Sequence, residues 1–146
     1  MSETEDFLAA MIPRQVEADT ALHNGDAAPR MALWSRRDPV TVLGAAVSAT
    51  GWDDIRRTFE WVASTFSNCE SFDLDIIAAG ASGDLAYTVG YEHTKASING
   101  APQSYTLRVT HTYRREDGEW KIAHRHGDAA TVVELPRPLG EMSTNP

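Results

Sequence analysis

Three histidines near the end of the chain, His111, His124 and His126, have the type and spacing that suit proton transfer. An imidazole in an apolar cavity can act as general acid or base, because small environmental shifts carry its pKa across neutrality. Strand alternation puts all three on one expected face, and His93 joins them. Tyr87, Tyr91 and Tyr113 share that face and offer phenolic donors of the kind that steady an oxyanion or enolate. His111 and His124 are therefore the candidate catalytic groups. His124 and His126 also have the spacing of two metal ligands on one strand, with Asp128 in the same parity. Zinc or iron would need a further ligand, for which His111 is the candidate. A His-x-His pair is a weak signal, and each of these rings serves equally well as partner of one buried hydrogen bond. No metal and no cofactor is expected. The candidate ligand-binding set is Trp34, Tyr87, Tyr91, His111, Tyr113, His124 and His126, with Trp34 at the mouth. For Trp34, as for Trp52, Trp61 and Trp120, core packing is the simpler role.

The elements that would position these groups follow from periodicity. Val109, His111 and Tyr113 alternate along one strand, Asp117-Gly118 turns the chain, and Trp120, Ile122, His124 and His126 alternate along the next. Before them, Leu8, Met11, Ile12, Val16 and Leu22 recur near helical spacing from Ser2 to about Asn24, with Ser2 and Glu5 forming a capping box. Pro13 either kinks this helix or opens its main part. Pro29 to Trp34 reads as a short helical turn and Pro39 to Leu43 as a short strand. Ile55, Phe59, Val62 and Phe66 give an amphipathic helix from about Asp53 to Ser67. From Phe72 onward the pattern is strand, turned at Gly80–Gly83 and Ile98–Pro102. Helices followed by an antiparallel meander make an α+β domain.

The expected inward set is Phe72, Leu74, Ile76; Leu85, Tyr87, Val89, Tyr91, His93; Tyr105, Leu107, Val109, His111, Tyr113; and Trp120, Ile122, His124, His126. The opposite face, with Thr88, Gly90, Glu92, Arg108, Thr110 and Thr112, is small or polar and suits pairing with a second subunit. Arg108 and Glu92 are expected to pair across strands there; with the faces exchanged, both would enter the pocket. One domain is expected over 1–134, and Pro136, Pro138 and Gly140 mark 135–146 as a mobile tail.

The formal net charge of −8 over 146 residues argues against nucleic acid and anionic membrane surfaces as partners. A lone cysteine, Cys69, offers no internal disulfide and fits a reducing compartment. The acidic start, Ser2 to Asp6, is unlike a secretory leader, and no apolar run reaches membrane-spanning length. A cytoplasmic location is expected.

The ending LRVTHTYRREDGEWKIAHRHGD resembles the last two strands of the nuclear transport factor 2-like superfamily, in particular its SnoaL-like members. Leu33-Trp34, Asp38 to Gly44 and Gly51-Trp-Asp-Asp-Ile55 resemble the middle of such domains. The resemblance implies a cone, with N-terminal helices packed on a curved, mainly antiparallel sheet around an apolar pocket, and a homodimer formed through the sheet. It implies a small hydrophobic ligand, or a cofactor-free lyase, isomerase or polyketide cyclase. Isomerase-like members carry a carboxylate at the end of the strand over Val40–Leu43. Here that position falls at Leu43 or Gly44, which cannot abstract a proton, and Asp38 is more simply a residue of the turn leading into the strand.

Overall fold

The computed structural model describes residues 2–130, so the expected tail over 135–146 lies outside the described residues. Helix α1 (Glu3–Leu22) begins at the expected capping box. Ser2 Oγ accepts from the Glu5 amide at 3.1 Å, and Glu5 Oε1 accepts from the Ser2 amide at 3.3 Å. The helix continues through Pro13 as one element, and Gly25, at φ +91°, turns the chain beyond it. Helix α2 (Ala28–Leu33) carries Pro29 in its first turn, where the missing amide proton costs nothing. Strands β1 (Thr41–Leu43) and β2 (Ser48–Thr50) form a small antiparallel pair. β2 was not anticipated, since three residues show no usable alternation.

Helix α3 (Trp52–Thr65) starts after Gly51 at φ +83° without a side-chain cap of its own. Asp38 Oδ1 instead accepts from the Trp52 amide at 3.2 Å, which gives Asp38 a structural role. Then come β3 (Phe66–Ser82), β4 (Leu85–Ile98), β5 (Ala101–Glu116) and β6 (Glu119–Ala129). The sheet order is β2-β1-β6-β5-β4-β3, antiparallel except where β1 runs parallel to β6. Among the described residues no helix is long and apolar enough to cross a membrane.

The helices cover one face of this sheet. Phe7 of α1 meets Tyr113 and Trp120 edge-on, with ring centroids at 4.7 and 5.1 Å. Trp34 packs edge-on against Phe59 at 5.2 Å. Each large apolar side chain so buried contributes about 1.5–3 kcal/mol. Trp34 and Trp120 are core residues, as the simpler reading has it, whereas Trp61 is 56% exposed. It lies off the stripe formed by Ile55, Phe59 and Ala63, so α3 turns it to solvent.

Two strands face the other way from expectation. On β4 the covered residues are Ala86, Thr88, Glu92, Thr94 and Ala96, while Leu85 is 65% and Tyr87 44% exposed. Tyr91 and His93 follow the same parity to the outer face. The apolar residues of β4 face outward because its inward polar residues, Thr88 and Glu92, are satisfied by partners described below. On β6, Tyr113 pairs with Ile122 but Thr112 pairs with His124, so Ala123 is an extra, bulged residue. A bulge reverses the parity beyond it. Trp120 and Ile122 therefore point inward, Arg125 and Gly127 take over that role, and His124 and His126 move outside. The assignments of β3 and β5 stand.

Gly90 records how tightly β4 meets β3 at the irregularity between Ile76 and Ala78. A Cβ there would lie within 2.2 Å of the Asp75 carbonyl oxygen, a backbone atom that cannot swing aside. Gly90→Ala is expected to destabilise the fold by about 1–3 kcal/mol. Urea unfolding checks this, and an unchanged midpoint would rule out the close approach.

Candidate functional site

The inner face of the sheet is more polar than an apolar pocket requires. α1 continues its apolar stripe of Phe7 and Met11 with Gln15, Asp19 and His23, each one turn after the last and each buried. β4 supplies Thr88 and Glu92, β5 supplies Tyr105, His111 and Tyr113, β6 supplies Arg125, and α2 supplies Arg30.

Glu92 and Arg125 form a two-pronged ion pair, with Nη1 and Nη2 each donating to one carboxylate oxygen at 2.8 Å. Burial alone would raise the Glu92 carboxyl. The Arg125 charge and hydrogen bonds reverse that and hold it down to about 2. Burial would likewise lower Arg125, and Glu92 holds it up instead. The second pair joins Arg30 to Asp19, with both Arg30 Nε (3.2 Å) and Nη2 directed at the same oxygen, Oδ1. Asp19 Oδ2 is buried and has no hydrogen-bond partner among the described residues.

His111 is buried between these groups, with Arg125 Nη1 3.2 Å from its Nε2 and the Gln15 side-chain amide 3.3 Å from its Nδ1. The amide's other arm lies 2.7 Å from Tyr113 Oη, which is 3.0 Å from Thr88 Oγ1. The proton positions follow from one fact, that a guanidinium can only donate. His111 Nε2 must hold the lone pair, so Nδ1 carries the proton. That proton pattern requires the Gln15 amide to be turned end for end from the placed orientation, in which Tyr113 Oη donates to its Oε1. Its oxygen then faces the ring, its NH2 faces Tyr113, and Tyr113 donates to Thr88. Burial, then the Arg125 charge, pushes His111 down to about 3, so the ring is neutral with both nitrogens engaged.

A second histidine lies at the other end of α1. His23 Nδ1 is 2.6 Å from the Asp19 carbonyl oxygen and so donates to it, leaving Nε2 to accept from the Tyr105 hydroxyl at 2.8 Å. Burial lowers the His23 pKa and pushes the Tyr105 phenol up to about 12, so both are neutral. The His23 ring meets Phe66 edge-on at 4.5 Å and stacks on Phe72 at 5.7 Å. Phe66 and Tyr105 are only half-buried, so this aromatic collar reaches solvent.

Of the residues singled out from sequence, the structure brings His111 and Tyr113 together. Trp34 is in the core. Tyr87, Tyr91, His124 and His126 are on the opposite face, where His124 Nδ1 meets Thr41 Oγ1 at 2.7 Å. His111 cannot complete a site with His124 and His126 across the sheet. Among the described residues no three His, Cys, Asp or Glu side chains gather as metal ligands. Arg108 does not pair with Glu92. It stays outside and binds Asp128 through Nε (2.9 Å) and Nη2 (2.8 Å). A groove of about 550 Å³ lies on that outer face, with Asp73, His93, Lys95 and Thr106 in its wall. Burial raises the Cys69 thiol, which disfavours a nucleophilic thiolate.

Sequence reasoning missed Gln15, Asp19, His23, Arg30 and Arg125 altogether. A signal existed for three of them, because Gln15, Asp19 and His23 extend the buried i, i+4 stripe of α1.

N-terminal helices over a six-stranded, mostly antiparallel sheet in this order make the nuclear transport factor 2-like architecture. Within it, the chain belongs to the SnoaL-like domain family, whose model matches residues 16–131. Solved structures agree on the fold. A nuclear transport factor 2 superfamily protein from Salmonella enterica is 16% identical, with 95% of this chain and 96% of that one covered and a TM-score of 0.67. A ketosteroid isomerase-like protein from Erwinia carotovora is 17% identical, covering 86% and 97%, at a TM-score of 0.69. An NTF2-like protein of unknown function in nutrient uptake from Rhodospirillum rubrum is 22% identical, covering 84% and 97%, at 0.65. No curated protein matches in sequence.

The paired charges make stability depend on acid. Glu92, held at about 2 against a usual 4.5, contributes stability present above its unfolded pKa and lost as pH falls toward 2. His111, held at about 3 against 6.5, binds its proton more readily unfolded, so its contribution is lost as pH falls from 6.5 toward 3. Chemical denaturation from pH 7 to pH 4 is expected to show stability declining from about pH 6.5. His111→Gln should flatten the early part of that decline. Glu92→Gln at pH 7 should cost about 3–5 kcal/mol, because Arg125 is left buried and unpaired. A loss under about 1 kcal/mol would mean the pair is solvated, in the range of exposed ion pairs.

Proposed function

We propose that this chain is a small-molecule-binding domain without catalytic turnover, taking a largely apolar ligand at the aromatic collar of His23, Phe66, Phe72 and Tyr105. The observation that carries the reading is the state of His111. Both its ring nitrogens are committed, to Arg125 and to Gln15, and its pKa is pushed far below neutrality. A general base needs a free lone pair within reach of the substrate proton. Glu92 is equally committed, to Arg125. What remains near solvent are the half-buried rings of Phe66 and Tyr105, aromatic groups of the kind that line sites for apolar bodies.

The same reading includes a homodimer through the outer face of the sheet. Leu85 and Tyr87 are exposed there beside Val89 and Tyr91, an apolar row that a second copy would cover. No nucleic acid, membrane or cofactor enters it, and the domain acts in the cytoplasm.

Native mass spectrometry on the full chain purified without added ligand tests this. The expected spectrum is a dimer carrying an additional organic mass, which is lost from a Phe66→Ala variant. A clean monomer would overturn the dimer, and a mass retained by the variant would move the ligand away from the collar.

One observation favours a second reading, that of a cofactor-free lyase, isomerase or polyketide cyclase. The Tyr105–His23 pair, at 2.8 Å with its tautomer fixed by the Asp19 carbonyl, is a neutral acid–base couple beside solvent. On that reading, turnover of a cyclic ketone or polyketide-like substrate should fall by about a hundredfold or more in His23→Gln, with KM little changed.

A further inference from the structure

Asp19 is the least settled group in the interior. Its side chain is 4% exposed, yet Arg30 approaches only Oδ1, through two nitrogens, and Oδ2 has no partner among the described residues. A buried carboxylate oxygen without a hydrogen bond is costly, and native interiors rarely retain one without a role. Asp19 also stands one helical turn beneath His23, on the same face of α1, so it lies below the aromatic collar.

We propose that Asp19 Oδ2 is the polar anchor of the collar site, and that the ligand is a flat apolar molecule bearing a hydrogen-bond donor, an alcohol, phenol or amine. This rests on the small-molecule reading above and sharpens it. The anchor atom can only accept. Tyr105, the other polar group at the collar, already donates its proton to His23 and presents only oxygen lone pairs to a newcomer. Two acceptors select a donor. They also select against anions, because the guanidiniums of Arg30 and Arg125 each already face a carboxylate. The ring surfaces of Phe66, Phe72 and Tyr105 fit the ligand's flat body. A ligand of this kind brings Oδ2 its missing partner at the moment of binding, so discrimination against a look-alike without the donor is strong.

The test compares two probes of nearly the same shape, 2-naphthol and 2-methoxynaphthalene, titrated calorimetrically into the full chain at pH 7. The expected result is about ten- to a hundredfold tighter binding of 2-naphthol, the range set by leaving one buried polar group unpaired. Equal affinities would overturn the donor inference while leaving the small-molecule reading in place. Failure of both probes to bind at millimolar concentration would overturn both. In Asp19→Asn, the amide oxygen must stay on Arg30, which turns the NH2 group into the site. The preference for 2-naphthol should vanish there, and a preference that persists would exclude Asp19 as the anchor. Should that variant not fold, Phe66→Ala locates the site instead: both probes should weaken together, and unchanged affinities would place them elsewhere and sink the proposal.

Discussion

The ion pair between Glu92 and Arg125 sets conditions that much of the fold has to meet. Taking two charges into a protein interior is costly, and their attraction offsets this only when geometry and remaining hydrogen bonds are good. Arg125 can reach Glu92 only if both point under the helices. For β6 this requires the bulge at Ala123, because the alternation that buries Trp120 and Ile122 would otherwise bury His124 and expose Arg125. For β4 it requires the parity that also buries Thr88 and Thr94 and leaves Leu85 and Tyr87 outside. A second proton on Arg125 Nη1 is met by His111, and the proton left on that ring is met by Gln15. The stripe on α1 is thus polar where the sheet is charged and apolar where Phe7 meets Tyr113 and Trp120.

Those dependencies explain what was legible in the sequence. The capping box at Ser2, the stripe of α3, the Asp117-Gly118 hairpin and the α+β class depend on local chemistry and could be read from neighbours in sequence. The fold family followed from the same local motifs. The site depends on pairs far apart in sequence, such as Glu92 with Arg125 and Gln15 with His111, and alternation alone carries no mark of them. Alternation was even misleading on β4, where the apolar residues are on the outside. The bulge on β6 was invisible because it moves no residue type, only the parity of those that follow. His124 and His126 were thereby read onto the wrong face, while His111, before the bulge, was placed correctly.

Buried ion pairs are weak evidence of stability, since well-packed apolar residues of the same volume often stabilise as much or more. Their presence here is better understood through what they do to neighbouring groups. Arg125 fixes the tautomer of His111 and, through Gln15, the direction of the Tyr113 hydroxyl. The network has one consistent arrangement of protons, running from the guanidinium through the imidazole and amide to Thr88. A chain of this kind is neutral at each titrating ring, and it leaves His111 no free ring nitrogen.

The Asp19 pair contrasts with it. Glu92 receives two donors on two oxygens, whereas Asp19 receives two donors on one. That difference leaves Asp19 Oδ2 without a partner among the described residues, one helical turn from His23. A domain selected for stability alone would gain from closing Oδ2 with a serine or threonine from α2 or β3. Among the described residues nothing from those elements does so, whereas each oxygen of Glu92 receives its own nitrogen of Arg125. The asymmetry between two otherwise similar buried pairs is therefore the feature on which the proposed binding end of the network rests.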